Sequence, residues 1–266
     1  MPSCIGVSPE GIVRYWPSVG QEEVYADVSA ELAGQECERL GEHSQAGLVL
    51  ATTTCTVVLL NPAVVDGRAT VTCRTLRPPS GWLGGIGRRV SLLFFGSMPA
   101  HAETKLVGVV VIPDSGAEGE ECVALVASGS GGGGGGGGSG GGGGPVLQLW
   151  RGAELHEHSL RRALCDAHLQ PHHHPQHAQH ALPGTSYTPS DLNSLEIMAL
   201  DVRASGNNGL LLLIAAVNVA RSPELRYAIA HVSVADASSP RVTSLVALRG
   251  APAAPDAPPR FLPLGP

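Results

Sequence analysis

The feature that most constrains the fold is a long succession of short apolar runs separated by turn residues. The runs are rich in β-branched residues and are bounded by Gly, Pro and Asn, which is typical of strands and tight turns. About thirteen such runs, with little helical periodicity between them, predict an all-β repeat fold. The predicted strands include Cys4–Ser8, Ile12–Trp16, Val24–Val28, Gly47–Ala51, Thr54–Leu60, Ala69–Leu76, Lys105–Ile112, Glu121–Ala127, Val146–Trp150, Gly209–Val219, Leu225–Val234 and Val242–Leu248.

The number of strands limits which repeat fold is possible. A β-propeller is built from four-stranded sheets and generally closes with about four to eight of them. At four strands a sheet, this chain supplies three or four. Together with the family resemblance described below, this count predicts an all-β, incomplete β-propeller over residues 1–250, a piece of a larger propeller, followed by a Pro/Ala-rich tail at 251–266.

Two further predictions concern helix. Residues 155–169 form the one plausible ordinary helix, capped by Ser159, with Leu160, Ala163, Leu164 and Ala167 on a shared face. Residues 191–202 are predicted to form a short turn or helix that runs into a strand.

Charge and hydropathy exclude some classes of partner. The chain of 266 residues has a net charge of −6 and a pI near 6.0, so it shows no basic footprint for nucleic acid. The longest pure apolar run, Leu210–Val217, is too short to cross a bilayer, and no signal peptide is visible at the amino terminus. We expect a soluble intracellular chain with no nucleic-acid partner.

The six cysteines contain no Cys-x-x-Cys pair and lie singly in or near apolar runs. This pattern favours reduced, mostly buried thiols over a disulfide framework or a zinc site.

Residues 80–97 form an amphipathic segment. At about 100° per residue, its apolar side chains share roughly one third of a helix circumference. They are Trp82, Leu83, Ile86, Val90, Leu93 and Phe94, and the opposite side carries Gly84, Gly85, Arg88, Arg89 and Ser91. Each glycine costs about 1 kcal/mol in a helix relative to Ala, so the segment needs an apolar surface to fold against. A membrane or a hydrophobic seam on the propeller meets that need.

Periodicity alone leaves the membrane and the propeller seam equally open, and the family resemblance described below favours the membrane. The six apolar side chains would enter the bilayer, and Arg88 and Arg89 would each add about 1 kcal/mol on an anionic leaflet. The predicted membrane-binding residues are thus Trp82, Leu83, Ile86, Arg88, Arg89, Val90, Leu93 and Phe94.

A glycine tract occupies residues 128–144. It lacks the Gly-Lys-Ser/Thr of a phosphate loop, and its Gly-x-Ser-x-Gly match has no strand-to-helix context. We predict a disordered, flexible insert.

A histidine-rich loop occupies residues 171–186. Its histidines, at 172, 173, 174, 177 and 180, lie among Gln, Pro and Ala, so the region implies no fixed coordination geometry. A disordered loop is favoured, and adventitious binding of a transition metal is the alternative. We predict no cofactor and no metal site.

Three stretches together resemble the nucleoporin one-thirty-three family. The core of residues 81–94, Ile-Gly-Arg-Arg-Val-Ser, is similar to the lipid-packing-sensor loop of that family. Residues 8–18 and the stretch from Leu195 to Ile229 resemble its propeller strands, a pattern that the related one-fifty-five nucleoporins share in part. The resemblance extends along nearly the whole chain apart from the Gly and His tracts.

The resemblance implies both a place and a role. The family's propeller belongs to the nuclear pore scaffold at the nuclear envelope, where its loop senses membrane curvature. The implied partners are the nuclear envelope membrane surface and other scaffold nucleoporins, the latter through regions largely absent from this chain. The implied process is nucleocytoplasmic transport of mRNA and protein.

Two other classes of function are alternatives to the scaffold role. The first is a protein-interaction propeller of another trafficking coat, with the amphipathic segment packed on the domain. The second is an enzyme, which the sequence does not favour because it lacks paired carboxylates, metal-spaced cysteines or a triad-like grouping with supporting context.

Overall fold

The structure is a computed structural model, and it describes most of the residues outside the long inserts. The described ranges are 3–32, 34–43, 47–52, 56–66, 68–76, 104–113, 121–129, 144–152, 154–169, 194–206, 208–220 and 222–248. Within them the strands are β1 (Cys4–Val7), β2 (Ile12–Trp16), β3 (Val24–Asp27), β4 (Cys37–His43), β5 (Gly47–Thr52), β6 (Val57–Val65), β7 (Arg68–Leu76), β8 (Thr104–Ile112), β9 (Cys122–Gly129), β10 (Pro145–Arg151), β11 (Glu154–Ser159), β12 (Leu195–Ala204), β13 (Gly209–Asn218), β14 (Ser222–Ser233) and β15 (Arg241–Ala247). The helices are α1 (Ser29–Leu32) and α2 (Arg161–Leu169).

The strands form four sheets, each built from strands that are consecutive in sequence. The first sheet has three strands in the order β1-β2-β3, and the others have four each, in the orders β4-β5-β6-β7, β11-β10-β9-β8 and β12-β13-β14-β15. Neighbouring strands are antiparallel in the first, second and fourth sheets. Meandering sheets of this kind are the repeating unit of a propeller, so the predicted all-β, incomplete propeller is confirmed.

Two boundaries in the second sheet differ from the sequence prediction. Strand β4 was not predicted, because three of its seven residues are charged and its apolar residues do not alternate. Strand β6 was predicted to end at Asn61-Pro62, but it continues to Val65. Proline is tolerated there because β5 pairs with β6 only as far as Leu60, so the missing N–H of Pro62 removes no bond to β5.

The predicted helix at residues 155–169 was wrong in its first turns. Residues 154–159 form strand β11, which pairs with β10, and the helix begins only at Arg161. The predicted cap at Ser159 was also wrong, because the carbonyl of Leu160 accepts the N–H of Leu164 at 2.9 Å and Leu160 therefore holds the cap position. The predicted apolar face is otherwise present, with Leu160 and Leu164 buried.

Contacts between Cα atoms divide the chain into two compact units. The first unit comprises residues 1–98, 108–125 and 148–156, and the second comprises 99–107, 126–147 and 157–266. The third sheet supplies residues to both units.

The first unit has a core between the first and second sheets. Its buried members are Val13, Val28, Leu32, Leu50, Val58 and Leu60. Helix α1 closes one end of this core, beginning where Oδ1 of Asp27 accepts the N–H of Ser29 at 2.9 Å. Gly11 has a φ of 93°, and a Cβ there would lie 2.7 Å from Cδ1 of Leu32, so the turn between β1 and β2 requires glycine.

The second unit has its core on the fourth sheet. Strand β13 is buried over most of its length, as its apolar sequence predicted. Helix α2 contacts β12 and β15, and Nη2 of Arg161 donates to the carbonyl of Leu195 at 3.2 Å. The ring Nε2 of His158 lies 2.7 Å from the carbonyl oxygen of Ala237, which joins the end of β11 to the turn between β14 and β15.

The five described cysteines are free, in agreement with the expectation of reduced thiols. Cys122 and Cys165 are buried and Cys37 is half-buried, but Cys4 and Cys73 are exposed. The expectation of mostly buried thiols therefore holds for only part of the described set.

Within the described ranges, neither helix has the length and apolar character that crossing a bilayer requires.

Candidate binding cavity

The residues predicted to bind membrane lie outside the described residues. They are Trp82, Leu83, Ile86, Arg88, Arg89, Val90, Leu93 and Phe94. The chain leaves the second sheet at Leu76, the last residue of β7, and enters the third sheet at Thr104, the first residue of β8. The amphipathic segment thus occupies a connection between two sheets.

The glycine tract and the histidine-rich loop also lie in connections between secondary-structure elements. The glycine tract lies between β9 and β10, although Ser128 and Gly129 at its start belong to β9. Oγ of Ser128 accepts the N–H of Ala199 at 3.1 Å, which fixes that end of the tract. The histidine-rich loop lies between α2 and β12, and residues 171–186 are outside the described ranges.

A cavity of about 430 Å³ lies within the first unit. One wall is the face of β6 and β7 that presents Leu59, Asn61, Thr72, Arg74 and Leu76. Strand register explains this set, because Leu59 pairs with Arg74 and Asn61 pairs with Thr72, so side chains two apart share the face. The other lining residues are His43, Cys73, Glu121, Val123, Trp150 and Gly152.

A buried ion pair lies in the wall of this cavity. Nδ1 of His43 is 2.5 Å from Oε2 of Glu121, and the two side chains are only 9% and 8% exposed. The imidazole ring thus contacts one of the two carboxylate oxygens of Glu121 inside the protein.

Trp150 contributes a hydrogen-bond donor with no acceptor. Its side chain is 3% exposed, and its Nε1 is buried without a hydrogen-bond partner among the described residues. Buried indole N–H groups usually find an acceptor, since leaving one unpaired costs about 1–3 kcal/mol. The indole N–H is covered by protein atoms, so Trp150 lines the cavity with other parts of its side chain or backbone.

Arg74 supplies positive charge beside this donor. It is exposed, and it forms no ion pair with any residue that the structure describes. Thr72 and Asn61, which line the same wall, add a hydroxyl and an amide. The polar groups in this wall include both hydrogen-bond donors and acceptors.

Sequence reasoning did not find this cavity. His43 and Glu121 are far apart in the sequence and come from different sheets, and neither belongs to a motif. The alternation of Asn61, Thr72 and Arg74 on paired strands was a possible signal, but β6 was predicted to end before it. The described residues contain no group of three or more His, Cys, Asp or Glu side chains that could hold a metal ion.

The fold defines the class of protein, a β-propeller of which the chain holds part. A solved structure of the Nup133 β-propeller domain from Vanderwaltozyma polyspora matches it with a TM-score of 0.51 and 14% identity. The match covers 91% of this chain and 53% of that domain, so the chain corresponds to about half of it.

Sequence comparison finds similar proteins. The nuclear pore complex protein Nup133 of Drosophila melanogaster is 35% identical over 130 residues, which is 48% of this chain and 11% of the relative. Nup133 of Mus musculus is 34% identical over 93 residues, which is 35% of this chain and 8% of the relative. No profile of a known protein family matches the sequence. The chain spans about a tenth of the length of these relatives, and over that part its sequence is similar to that of Nup133.

Proposed function

We propose that this chain is a structural component of the nuclear pore scaffold and that residues 80–97 contact the curved membrane of the nuclear envelope. The observation that carries the scaffold role is the agreement between two independent similarities. Relatives called nuclear pore complex protein Nup133 match the sequence, and a Nup133 propeller domain matches the fold. The proposed location is the nuclear pore complex, and the proposed process is nucleocytoplasmic transport of mRNA and protein.

The membrane contact rests on the chemistry of the segment. Fully burying one large apolar side chain contributes roughly 1.5–3 kcal/mol, and burial in an interface is usually partial. Six such side chains on one side of a helix supply enough apolar area for reversible binding, even with only Arg88 and Arg89 as charged anchors. Because the segment carries little charge, insertion of its apolar side chains supplies most of the binding free energy. Such insertion is easier on a curved membrane, where gaps open between the lipid headgroups.

The position of the segment supports the same proposal. It lies in a connection between sheets, so its insertion into lipid removes no strand from a sheet. Other scaffold nucleoporins are the proposed protein partners. No catalytic role is proposed.

Vesicle flotation tests the membrane contact. Small and large vesicles of the same neutral and anionic lipids are mixed with the chain and with the double variant Ile86→Asp, Leu93→Asp. We expect the unchanged chain to float with small vesicles more than with large ones, and the double variant to stay at the bottom. Replacing Arg88 and Arg89 by Ser is expected to weaken binding modestly, chiefly on anionic lipid.

A matched control separates this segment from other exposed apolar residues. Val64 and Val65 are 55% and 56% exposed at the end of β6. The variant Val64→Asp, Val65→Asp introduces the same charges there and is expected to bind vesicles as the unchanged chain does. If the Ile86 and Leu93 variant still floats, or if flat and curved membranes bind equally, the curvature-sensing proposal is wrong.

A further inference from the structure

We propose that Ser239, in the turn between β14 and β15, is a phosphorylation site for a proline-directed protein kinase. This inference goes beyond the proposed scaffold and membrane roles and depends on neither. In the reaction, Oγ of Ser239 attacks the γ-phosphorus of ATP, and the bond from that phosphorus to the bridging oxygen of the β-phosphate breaks. ADP leaves, and the hydroxyl proton passes to a base of the kinase.

The sequence around Ser239 distinguishes it from other candidates. The chain contains four Ser-Pro or Thr-Pro dipeptides, which begin at Ser8, Thr188, Ser222 and Ser239. Only the last has a basic residue directly after its proline, at Arg241, whereas the others have Glu, Ser and Glu there. Kinases select substrates partly by the pattern of charge around the site. Thr188 lies outside the described residues.

The hydroxyl group of Ser239 is available for reaction. Ser239 is exposed, and its hydroxyl makes no hydrogen bond to any residue that the structure describes. The neighbouring Ser238 differs, because its Oγ donates to Oδ1 of Asp236 at 2.6 Å. The turn itself is held by the backbone N–H of Ser239, which donates to the carbonyl of Asp236 at 3.1 Å. Phosphoryl transfer to Ser239 therefore disrupts no hydrogen bond of the reacting hydroxyl within the described part of the chain.

The chain after Ser239 can separate from the sheet locally, as binding to a kinase in an extended form requires. Strand β15 is the last strand of the fourth sheet, and its one strand neighbour in that sheet is β14. Its first two pairs are Arg241 with Ser233 and Val242 with Val232, and a register shift separates them from the pairs that follow. Because short pairings at a sheet edge open at low cost, residues 239–242 can be released while the rest of β15 stays paired.

The anchor of this turn lies before the proposed site. The carbonyl oxygen of Ala237 is 2.7 Å from Nε2 of His158, and Ala237 is buried. Release of residues 239–242 leaves this contact in place, because it involves none of them.

The two other described dipeptides are held by their strands. The N–H of Ser8 donates to the carbonyl of Ile12 at 2.9 Å, and Oγ of Ser8 accepts the N–H of Ile12 at 3.1 Å. The carbonyl of Pro9 accepts the N–H of Cys37 at 2.8 Å. Ser222 begins β14 and pairs with β13. Binding of either dipeptide to a kinase therefore requires the loss of several backbone contacts.

Phosphorylation of the folded chain by a recombinant mitogen-activated protein kinase with Mg²⁺ and ATP tests the proposal. Synthetic peptides of residues 235–244 and 4–13 give the rates at Ser239 and Ser8 without the fold. We expect Ser239 in the folded chain to react within about tenfold of the rate of its peptide, and Ser8 at least about a hundredfold more slowly than its peptide. Comparison of each site with its own peptide removes the sequence preference of the kinase, and mass spectrometry assigns the phosphates.

Three variants test the assignment to Ser239. Ser239→Ala is expected to remove the phosphate from this turn. Pro240→Ala keeps the hydroxyl and is expected to slow its phosphorylation at least about tenfold, because the kinase loses the proline that it recognises. Ser238→Ala is the matched control at the neighbouring position and is expected to keep the phosphate on Ser239.

Four results would overturn the proposal. If the 235–244 peptide is phosphorylated and the folded chain is not, the turn does not admit the kinase. If neither is phosphorylated, the sequence is not a substrate. Phosphate on Ser238 in place of Ser239, or an unchanged rate in Pro240→Ala, would show that the modification is not directed by the proline. None of these results involves vesicles, so failure of the membrane proposal leaves this one unaffected.

Discussion

Nδ1 of His43, at the end of β4, lies 2.5 Å from Oε2 of Glu121, which directly precedes β9. This contact joins the second sheet to the third within the first unit. Because both side chains are at least nine-tenths buried, removal of one partner takes this contact from the other at a position away from water.

We therefore predict that His43→Leu lowers the free energy of unfolding by about 3 kcal/mol. Urea denaturation followed by circular dichroism measures the change. Glu42→Ala, at the exposed neighbouring position, is the control and should change stability by no more than about 0.5 kcal/mol. Equal stability of His43→Leu and the unchanged chain would show that the pair contributes nothing.

Gly209 begins β13 under the ring of His231. A Cβ at this position would lie 2.5 Å from the carbonyl oxygen of Ser205 and 2.7 Å from Nε2 of His231. Gly209→Ala is expected to destabilise the chain by about 1–3 kcal/mol, because the backbone oxygen has no room to move away.

The matched control is Gly6→Ala in β1, where an added Cβ meets nothing within 4 Å. This change is expected to be neutral or to raise stability slightly, because alanine restricts the unfolded chain more than glycine does. Thermal melts of the two variants compare them directly. Similar melting temperatures for both would contradict the crowding at Gly209.

Cys165 is buried and Cys4 is exposed, so their thiols should be alkylated at different rates. Burial raises the pKa of the Cys165 thiol; Arg161 acts in the opposite direction and Asp166 in the same direction. Since the thiolate is the reactive form, Cys165 is expected to react with iodoacetamide at least about tenfold more slowly than exposed Cys4 at pH 8.

The raised pKa of the Cys165 thiol also makes the stability of the chain depend on pH. The folded thiol keeps its proton above the usual pKa of 9.0, whereas the unfolded thiol loses it there, so stability falls as the pH rises past that value. Mass spectrometry of the alkylated peptides measures the rates. Cys165→Ala should remove this contribution to the fall in stability at high pH, and a Cys165 that reacts as fast as Cys4 would contradict its burial.

The glycine tract is expected to be dispensable for stability. Its composition offers no apolar surface to offset the entropy of ordering. Deleting residues 131–142 shortens the β9–β10 connection about fivefold and should raise the free energy of unfolding by about 1 kcal/mol through loop closure. Calorimetry measures the change, and a large fall in melting temperature would show that the tract contributes to the fold.

Much of the sheet architecture was predictable because most strands combine alternation with clear turn signals. Ile12–Trp16 was predicted with its observed bounds, and the burial of β13 follows from its continuous apolar run. Strands stabilised mainly by their neighbours were not predictable. β4 has charged residues throughout and is a strand because it pairs with the buried β5.

The cavity could not be predicted from the sequence, because pairing between strands brings its residues together. Its polar groups come from five strands or strand ends, and only the register of β6 against β7 shows that Asn61, Thr72 and Arg74 share a face. Strand β11 was not predicted because Leu155 is its one strongly apolar residue, so its sequence shows no alternation, and the true helix follows almost directly.

The length of the connection from Leu76 to Thr104 also limits the distance between the propeller strands and a membrane that the segment binds. Three residues, 77–79, link β7 to the amphipathic segment, and six, 98–103, link the segment to β8. Fully extended, the four Cα–Cα steps from Leu76 to Ser80 reach about 14 Å, and the seven from Ser97 to Thr104 reach about 24 Å. A helix over residues 80–97 would be about 27 Å long and would lie in the plane of the bilayer. Membrane attachment through this segment would therefore hold the carboxyl end of β7 within about 14 Å of the headgroups, so that anchoring also orients the propeller.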